Sequence, residues 1–296
     1  MIIKYKPKDN STDNSTEKYP VELSEKQFEN KKISVFEFPA LNKLNIVRHL
    51  FTTRIGGASE GIYSTMNLSY TRGDNKEAVD ENFRRIAGLM GKEPKDIICS
   101  NQTHTTNVLR VNSSHGGNGV TKPNEFIDVD GMITNERGIV LATFYADCVP
   151  LYFVDPVKKA IGLSHSGWKG TVGRIGKVTV EKMEREFGSR PENIVCAIGP
   201  SICFQCYEVS SDVAYRFEKE FKDKSYEILT PKENTGGDKY LLNLWRANEI
   251  VLEEAGIKKT NIHTTNVCTC CNDGLLFSHR ASQGKRGNLG AFLCLE

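Results

Sequence analysis

Apolar and polar positions change rhythm several times along the chain. From Ile33 to Ala40 (I-S-V-F-E-F-P-A) they alternate with a period of two, as in a half-buried strand. A second apolar run, Asn45 to Thr53, follows closely enough to pair with it. The period then lengthens. Val79, Phe83, Ile86 and Met90 share one helical face, which predicts a helix from about Asn75 to Met90. Asp74 is the expected cap, Glu77 stands where a capping box wants an acid, and Gly91 is the expected stop. Val180, Met183 and Phe187 predict a second helix over Val172 to Phe187, ended by Gly188. Two more are expected near Ser211 to Phe221 and Leu241 to Ala255.

Short apolar strands are expected at Ile139 to Tyr145, Pro150 to Val154, Ala160 to Ser164, Ile194 to Ile198 and Ile262 to Val267. Strands and helices alternate without a repeated β-α unit, which favours α+β with layered sheets over a doubly wound parallel sheet. Ser113 to Gly119 and residues 222 to 239 read as long surface loops. Residues 7 to 31 are rich in Lys, Asp, Asn, Ser and Glu. The expected division is therefore a polar, flexible N-terminal arm over 1–31 and a single domain over 32–296.

Composition removes several classes of partner. Among 296 residues, 39 basic side chains face 37 acidic ones, so neither nucleic acid nor an anionic membrane has an electrostatic claim. No apolar run reaches about 18 residues, and the N-terminus lacks the apolar core of a signal peptide. Nine cysteines, an odd count, then read as reduced thiols in a cytoplasmic protein.

Three segments carry unusual chemistry: N-Q-T-H ending at His104, A-D-C ending at Cys148, and H-S-G-W-K-G opening at His165. Each lies at the end of an expected strand, where a rigid scaffold presents a loop. Two imidazoles and a thiolate suit a borderline-soft ion such as Zn²⁺, with a fourth position left for water or substrate. The three are far apart and form no compact zinc motif. Taken singly, each reads better as a hydrogen-bonded structural histidine or a buried thiol.

The order of motifs resembles that of the YfiH/YlmD family, also called the laccase-domain or polyphenol-oxidase-like family. The shared blocks are T-T-R-I-G-G-A-S-E-G-I-Y-S-T-M-N-L (52–68), N-Q-T-H (101–104), D-G-M-I-T (130–134), A-D-C-V-P-L (146–151) and H-S-G-W-K-G-T (165–171). They continue with I-G-P-S-I (198–202), C-Y-E-V (206–209) and C-T-C-C-N-D-G-L-L-F-S-H-R (268–280). The resemblance implies zinc on His104, Cys148 and His165, and a layered α-β-β-α fold like that of cytotoxic necrotizing factors. Running from about Phe51 to the C-terminus, it also implies that the 32–296 domain is catalytic: phosphorolysis of purine nucleosides, 5′-methylthioadenosine included, and adenosine deamination. Purine nucleoside and phosphate are the implied partners. The chain departs from the family pattern at Thr105, usually glycine, and at Lys169, often arginine; both departures are expected to bear on substrate fit.

Phosphorolysis needs a held phosphate and help for the departing purine. Arg54, followed by two glycines, and Lys169 are the expected phosphate cations, with a surface charge as the alternative for each. Asp147 is the expected general base or water-orienting carboxylate, provided the chain turns beside Cys148. Gln102 and Asn67 could read a purine edge; His279 and Arg280 are further site candidates. Deamination would lack the usual H-x-E signature. Cys203, Cys206, Cys268, Cys270 and Cys271 could form a structural zinc site or a redox pair, but read best as small buried thiols. Two other activities compete: a single copper in the zinc position oxidising phenols, and a cysteine hydrolase acting on amides of peptidoglycan precursors. Six histidines exclude a full multicopper centre, which needs roughly ten imidazoles.

Overall fold

The computed structural model describes residues 3–6, 20–233 and 236–296. Two six-stranded sheets stack face to face. The first runs β1 (Glu22–Phe28), β2 (Lys31–Glu37), β3 (Val47–Thr52), β15 (Leu289–Leu295), β7 (Val140–Tyr145), β4 (Ile97–Cys99). The second runs β14 (Ile262–Thr264), β10 (Val195–Ile198), β8 (Val149–Asp155), β9 (Ala160–Ser166), β6 (Gly131–Thr134), β5 (Val108–Arg110). Pairing within each is mostly antiparallel, with parallel contacts at β4–β7, β5–β6 and β10–β14. A small third sheet joins β11 (Glu208–Ser210), β13 (Lys239–Leu242) and β12 (Leu229–Pro231).

The inner faces interdigitate through Phe36, Phe51, Leu141, Tyr152, Leu163 and Leu293, all fully buried. Each such side chain contributes about 1.5–3 kcal/mol on leaving water. After the short α1 (Pro39–Asn42), α2 (Lys76–Leu89) covers the outer face of the first sheet with Val79, Phe83, Ile86 and Ala87. On the second sheet lie α3 (Trp168–Val172), α4 (Ile175–Phe187), α5 (Ser211–Phe221) and α6 (Leu244–Glu254), sealed by Ile175, Val180, Met183, Phe217 and Ile250. A final turn, α7 (His279–Ser282), precedes β15. The architecture is the expected layered α-β-β-α sandwich.

Four local expectations change. The cap of α2 is Asn75, whose side chain accepts from Ala78 N at 2.8 Å; Asp74 instead accepts from Asn67 and from Asn75 N. The expected second helix breaks at Gly173 and Arg174, where Arg174 takes φ +64° and lays its guanidinium 4.0 Å over the Phe221 ring. The 222–239 loop contains β12 and the start of β13. Within the expected 1–31 arm, Glu22–Phe28 is an edge strand, registered Leu23 to Phe36, with Phe28 packed on α2. Its residues are exposed or half-buried and none is fully buried, so its composition is that of an arm although its backbone is paired. Residues 7–19 of that arm lie outside the described residues.

Candidate metal centre and cavity

The chain passes from the first sheet to the second between β7 and β8, through Ala146, Asp147 and Cys148. Asp147 makes the corner with φ +97°, a conformation that costs a side-chain-bearing residue free energy and needs support around it. Cys148 follows at the mouth of β8. Beside it, β9 delivers His165, registered opposite Pro150. His104 comes from the loop after β4, itself at φ +66°.

One carboxylate assembles this region. Asp130, fully buried at the start of β6, accepts from Thr103 N (3.1 Å), His104 N (3.1 Å), Thr105 N (2.8 Å) and Thr105 Oγ1 (3.0 Å). It also bonds His165 Nδ1 at 2.8 Å. With Nδ1 held by Asp130, His165 keeps Nε2 as the nitrogen that a metal would bind in place of a proton. Cys148 Sγ lies 4.0 Å from His104 Nε2, the two imidazole rings are 4.9 Å apart, and the three donor atoms fall within 4.8 Å of one another. Gly167 is required here: a Cβ on it would stand 2.7 Å from the His104 ring and 3.2 Å from the Cys148 sulfur.

The electrostatics match the donor set. Burial alone would push the Cys148 thiol up, but His165 and His104 outweigh it and bring the pKa to about 6. Burial lowers His165, yet Cys148 and Asp130 lift it to about 9. Asp130 is held below the usual carboxylate range despite burial, by His165 and the Thr105 and Thr103 amides. A thiolate and two oriented imidazoles, closed on one side and open on the other, fit a tetrahedral soft ion with one free position.

That free side faces a cavity of about 890 Å³, within the size range of small-molecule sites. Tyr70, Phe144 and Asn288 line it, together with two arginines, Arg72 and Arg286. Burial, then the neighbouring Arg72 charge, lower the Arg286 pKa to about 10. Arg286 Nη1 bonds Gly287 O and Asn288 Oδ1, while its Nε is buried without a partner among the described residues. Two neighbouring like charges, one with an unspent donor, suit an anion.

Of the remaining expected residues, Gln102 lines the cavity and the others lie elsewhere. Arg54 does not line the cavity: it bonds Ser64 O and Asp273 O and stacks on Phe277, beside a separate small pocket. Lys169 points its Nζ over the Trp168 ring, 5.7 Å away, on α3. Asp147 turns as required but does not line the cavity, and its carboxylate is spent on Thr269 Oγ1 (2.6 Å) and Arg280 N (2.7 Å). Arg280 braces Cys206 O and Glu208 O, and His279 opens α7 outside the cavity lining. Gln102 and Asn67 spend their amides on the frame: Gln102 on both backbone groups of Phe144, Asn67 on Ser69 O, Asp74 and Asn288 N. Thr105 supports Asp130 and does not line the cavity.

Sequence reasoning missed Asp130, Arg72 and Arg286. The first opens a motif block, D-G-M-I-T, and the last sits in G-K-R-G-N-L-G; neither spacing says which side chain a distant loop will meet.

A two-sheet sandwich with a His/Cys/His cluster at the sheet crossover defines a laccase-like domain. Residues 48–296 match the family model described as multi-copper polyphenol oxidoreductase laccase. The chain is 35% identical over 243 residues to the purine nucleoside phosphorylase YlmD of Geobacillus stearothermophilus, covering 82% of this chain and 88% of that one. The crystal structure of the hypothetical protein YfiH from Bacillus licheniformis aligns with a TM-score of 0.84 at 29% identity, over 91% of this chain and all of that one. The crystal structure of YlmD from G. stearothermophilus aligns with a TM-score of 0.80 at 31% identity, over 92% and 98%. The chain belongs to the YfiH/YlmD laccase-domain family. Among its described residues, no helix is long and apolar enough to cross a membrane.

Proposed function

We propose that the chain is a zinc-dependent purine nucleoside phosphorylase acting on the adenosine, inosine, guanosine and 5′-methylthioadenosine class. The observation that carries the reading is the shared cavity, in which the His104–Cys148–His165 donor set and the Arg72–Arg286 pair open on the same space. Phosphate would be gripped by the two guanidiniums, relieving their mutual repulsion, and aimed at C1′ of the nucleoside. As its oxygen bonds C1′, the C1′–N9 bond breaks and its electron pair leaves with the purine. Tyr70 and Phe144 offer aromatic faces to the base. A zinc ion held by His104, Cys148 and His165 would supply Lewis acidity and positive charge. Asp130 fixes the His165 tautomer and the His104 loop. The named groups all lie in the proposed catalytic unit, residues 32–296, and nine unpaired cysteines support a cytoplasmic setting.

Adenosine deamination, in which water attacks C6 and ammonia leaves, is a further activity considered for the same cavity. The one carboxylate that lines the cavity among the described residues, Asp74, is engaged by Asn67 and Asn75, so phosphorolysis is favoured. A specific arrangement supports a second reading: Cys148, His165 and Asp130 are also ordered as nucleophile, base and orienting carboxylate of a thiol hydrolase. The test is purified protein with inosine, with and without phosphate, following hypoxanthine, and with metal analysis. The phosphorylase reading expects phosphate-dependent release, loss in a folded His104→Ala variant, and zinc as the ion. Phosphate-independent release, or turnover that survives chelation and is abolished by thiol alkylation, overturns it. Copper in place of zinc would restore the phenol-oxidase alternative.

A further inference from the structure

A second group of thiols lies behind the Asp147 corner, apart from the cavity. Two C-x-x-C pairs, Cys203–Cys206 and Cys268–Cys271, face each other from loops that follow neighbouring strands, β10 and β14. A parallel bridge between Ser201 and Cys268 sets their register. Cys206 Sγ lies 3.5 Å from Cys271 Sγ, Cys203 Sγ lies 4.0 Å from it, and all four sulfurs fall within 4.8 Å of one another. For a Zn–S bond of about 2.3 Å, the edge of a tetrahedron of sulfurs is about 3.8 Å. The cluster is thus close to the size of a four-thiolate zinc site without any backbone movement.

Two further features separate an ion site from packed thiols. Cys268 Sγ accepts from two backbone amides, Cys203 N at 3.2 Å and Cys271 N at 3.4 Å, one from each pair. Amide donors directed at sulfur favour its negative form, which packing alone does not require. Burial is also uneven: Cys203 and Cys268 are fully enclosed, while Cys206 and Cys271 are half-buried and leave a way in. Cys270, between the last pair, is outside the group of four.

We propose that Cys203, Cys206, Cys268 and Cys271 bind a structural Zn²⁺ ion, independently of the chemistry in the cavity. Its place in the fold gives it a task. Asp147 O accepts from Ile202 N and Asp147 Oδ1 from Thr269 Oγ1, so the two loops that carry the thiols also grip the strained corner presenting Cys148. On the outer side, Lys4 N and Lys4 O are pinned to the Asn272 side chain, which draws residues 3–6 against the same turn. An ion joining the loops would hold Asp147 at its left-handed φ and fix the direction of Cys148.

Zinc is counted per chain by mass spectrometry in folded protein prepared without chelators. The wild type is expected to hold two ions, His104→Ala/Cys148→Ala one, Cys206→Ser/Cys271→Ser one, and Cys270→Ser two. Cobalt loaded into His104→Ala/Cys148→Ala should give the intense sulfur-to-cobalt absorption of several thiolates. Should the serine variant fail to fold, stepwise mercurial titration of the wild type is expected to release the cluster ion as four thiols are consumed. One ion in both wild type and His104→Ala/Cys148→Ala would leave the cluster site standing and remove the cavity ion instead. A folded His104→Ala/Cys148→Ala protein without zinc, or disulfides between these cysteines in freshly isolated protein, overturns the proposal.

Discussion

Replacing Asp130 by asparagine keeps the shape of the side chain and removes the charge that organises the metal centre. Three of the five contacts fall on Oδ2 (Thr103 N, Thr105 N and Thr105 Oγ1) and two on Oδ1 (His104 N and His165 Nδ1). An asparagine would keep its oxygen on the Oδ2 side and turn its NH₂ towards His104 N and His165 Nδ1. Two consequences follow. The His104 amide faces another donor and loses its partner, a cost of about 1–3 kcal/mol. His165 must accept at Nδ1, which moves its proton to Nε2, the nitrogen needed as a ligand. Loss of such an orienting carboxylate typically lowers metal affinity about 10–100-fold. Asp130→Asn should therefore unfold at lower denaturant by about 1–3 kcal/mol and bind zinc at least about tenfold more weakly in a chelator competition. Circular dichroism would establish that the fold persists. A variant with affinity and stability within a factor of two of the wild type would refute the assignment of Asp130 as the organiser.

Three further outcomes are expected. Arg286→Ala should raise the KM for phosphate about tenfold or more, the worth of one charged hydrogen bond, with a smaller effect on inosine, whereas Arg54→Ala should leave the phosphate KM unchanged; initial-rate kinetics decide. In chelator-stripped protein, alkylation of the Cys148 peptide should reach half its maximal rate near pH 6 and fall off below it, because His165 and His104 outweigh burial there; a midpoint near the ordinary thiol value refutes the thiolate pairing. His49 accepts from Phe38 N, and burial lowers its pKa to about 4. The unfolded chain thus binds more protons at His49 between about pH 6.5 and 4, so the stability it gives is whole above that window and declines by roughly 3 kcal/mol across it. His49→Gln should remove this decline in denaturant titrations; an unchanged pH slope would show that other groups cause it.

The local rhythm of apolar residues was enough to place α5, β7, β8, β9 and β10, because a period of two or of 3.6 follows directly from backbone geometry, but it left β15, in the middle of the first sheet, unread. It erred where side chains several turns away intervene. Arg174, at φ +64° between α3 and α4, stacks on Phe221 from a distant helix, and Glu22–Phe28 looks like solvent-exposed chain because only β2 and α2 give it a partner. The donor set shows the same divide. His104, Cys148 and His165 could be singled out by residue type and motif, since softness and charge belong to the side chain itself. Asp130, Arg72 and Arg286, and the meeting of Cys203 and Cys206 with Cys268 and Cys271, depend on which loops the two stacked sheets bring together. Arg54, Lys169 and Asp147 carry suitable chemistry in the sequence but are directed elsewhere by the fold. Residue identity fixes what a group can do; its direction and its neighbours arise only when distant segments pack.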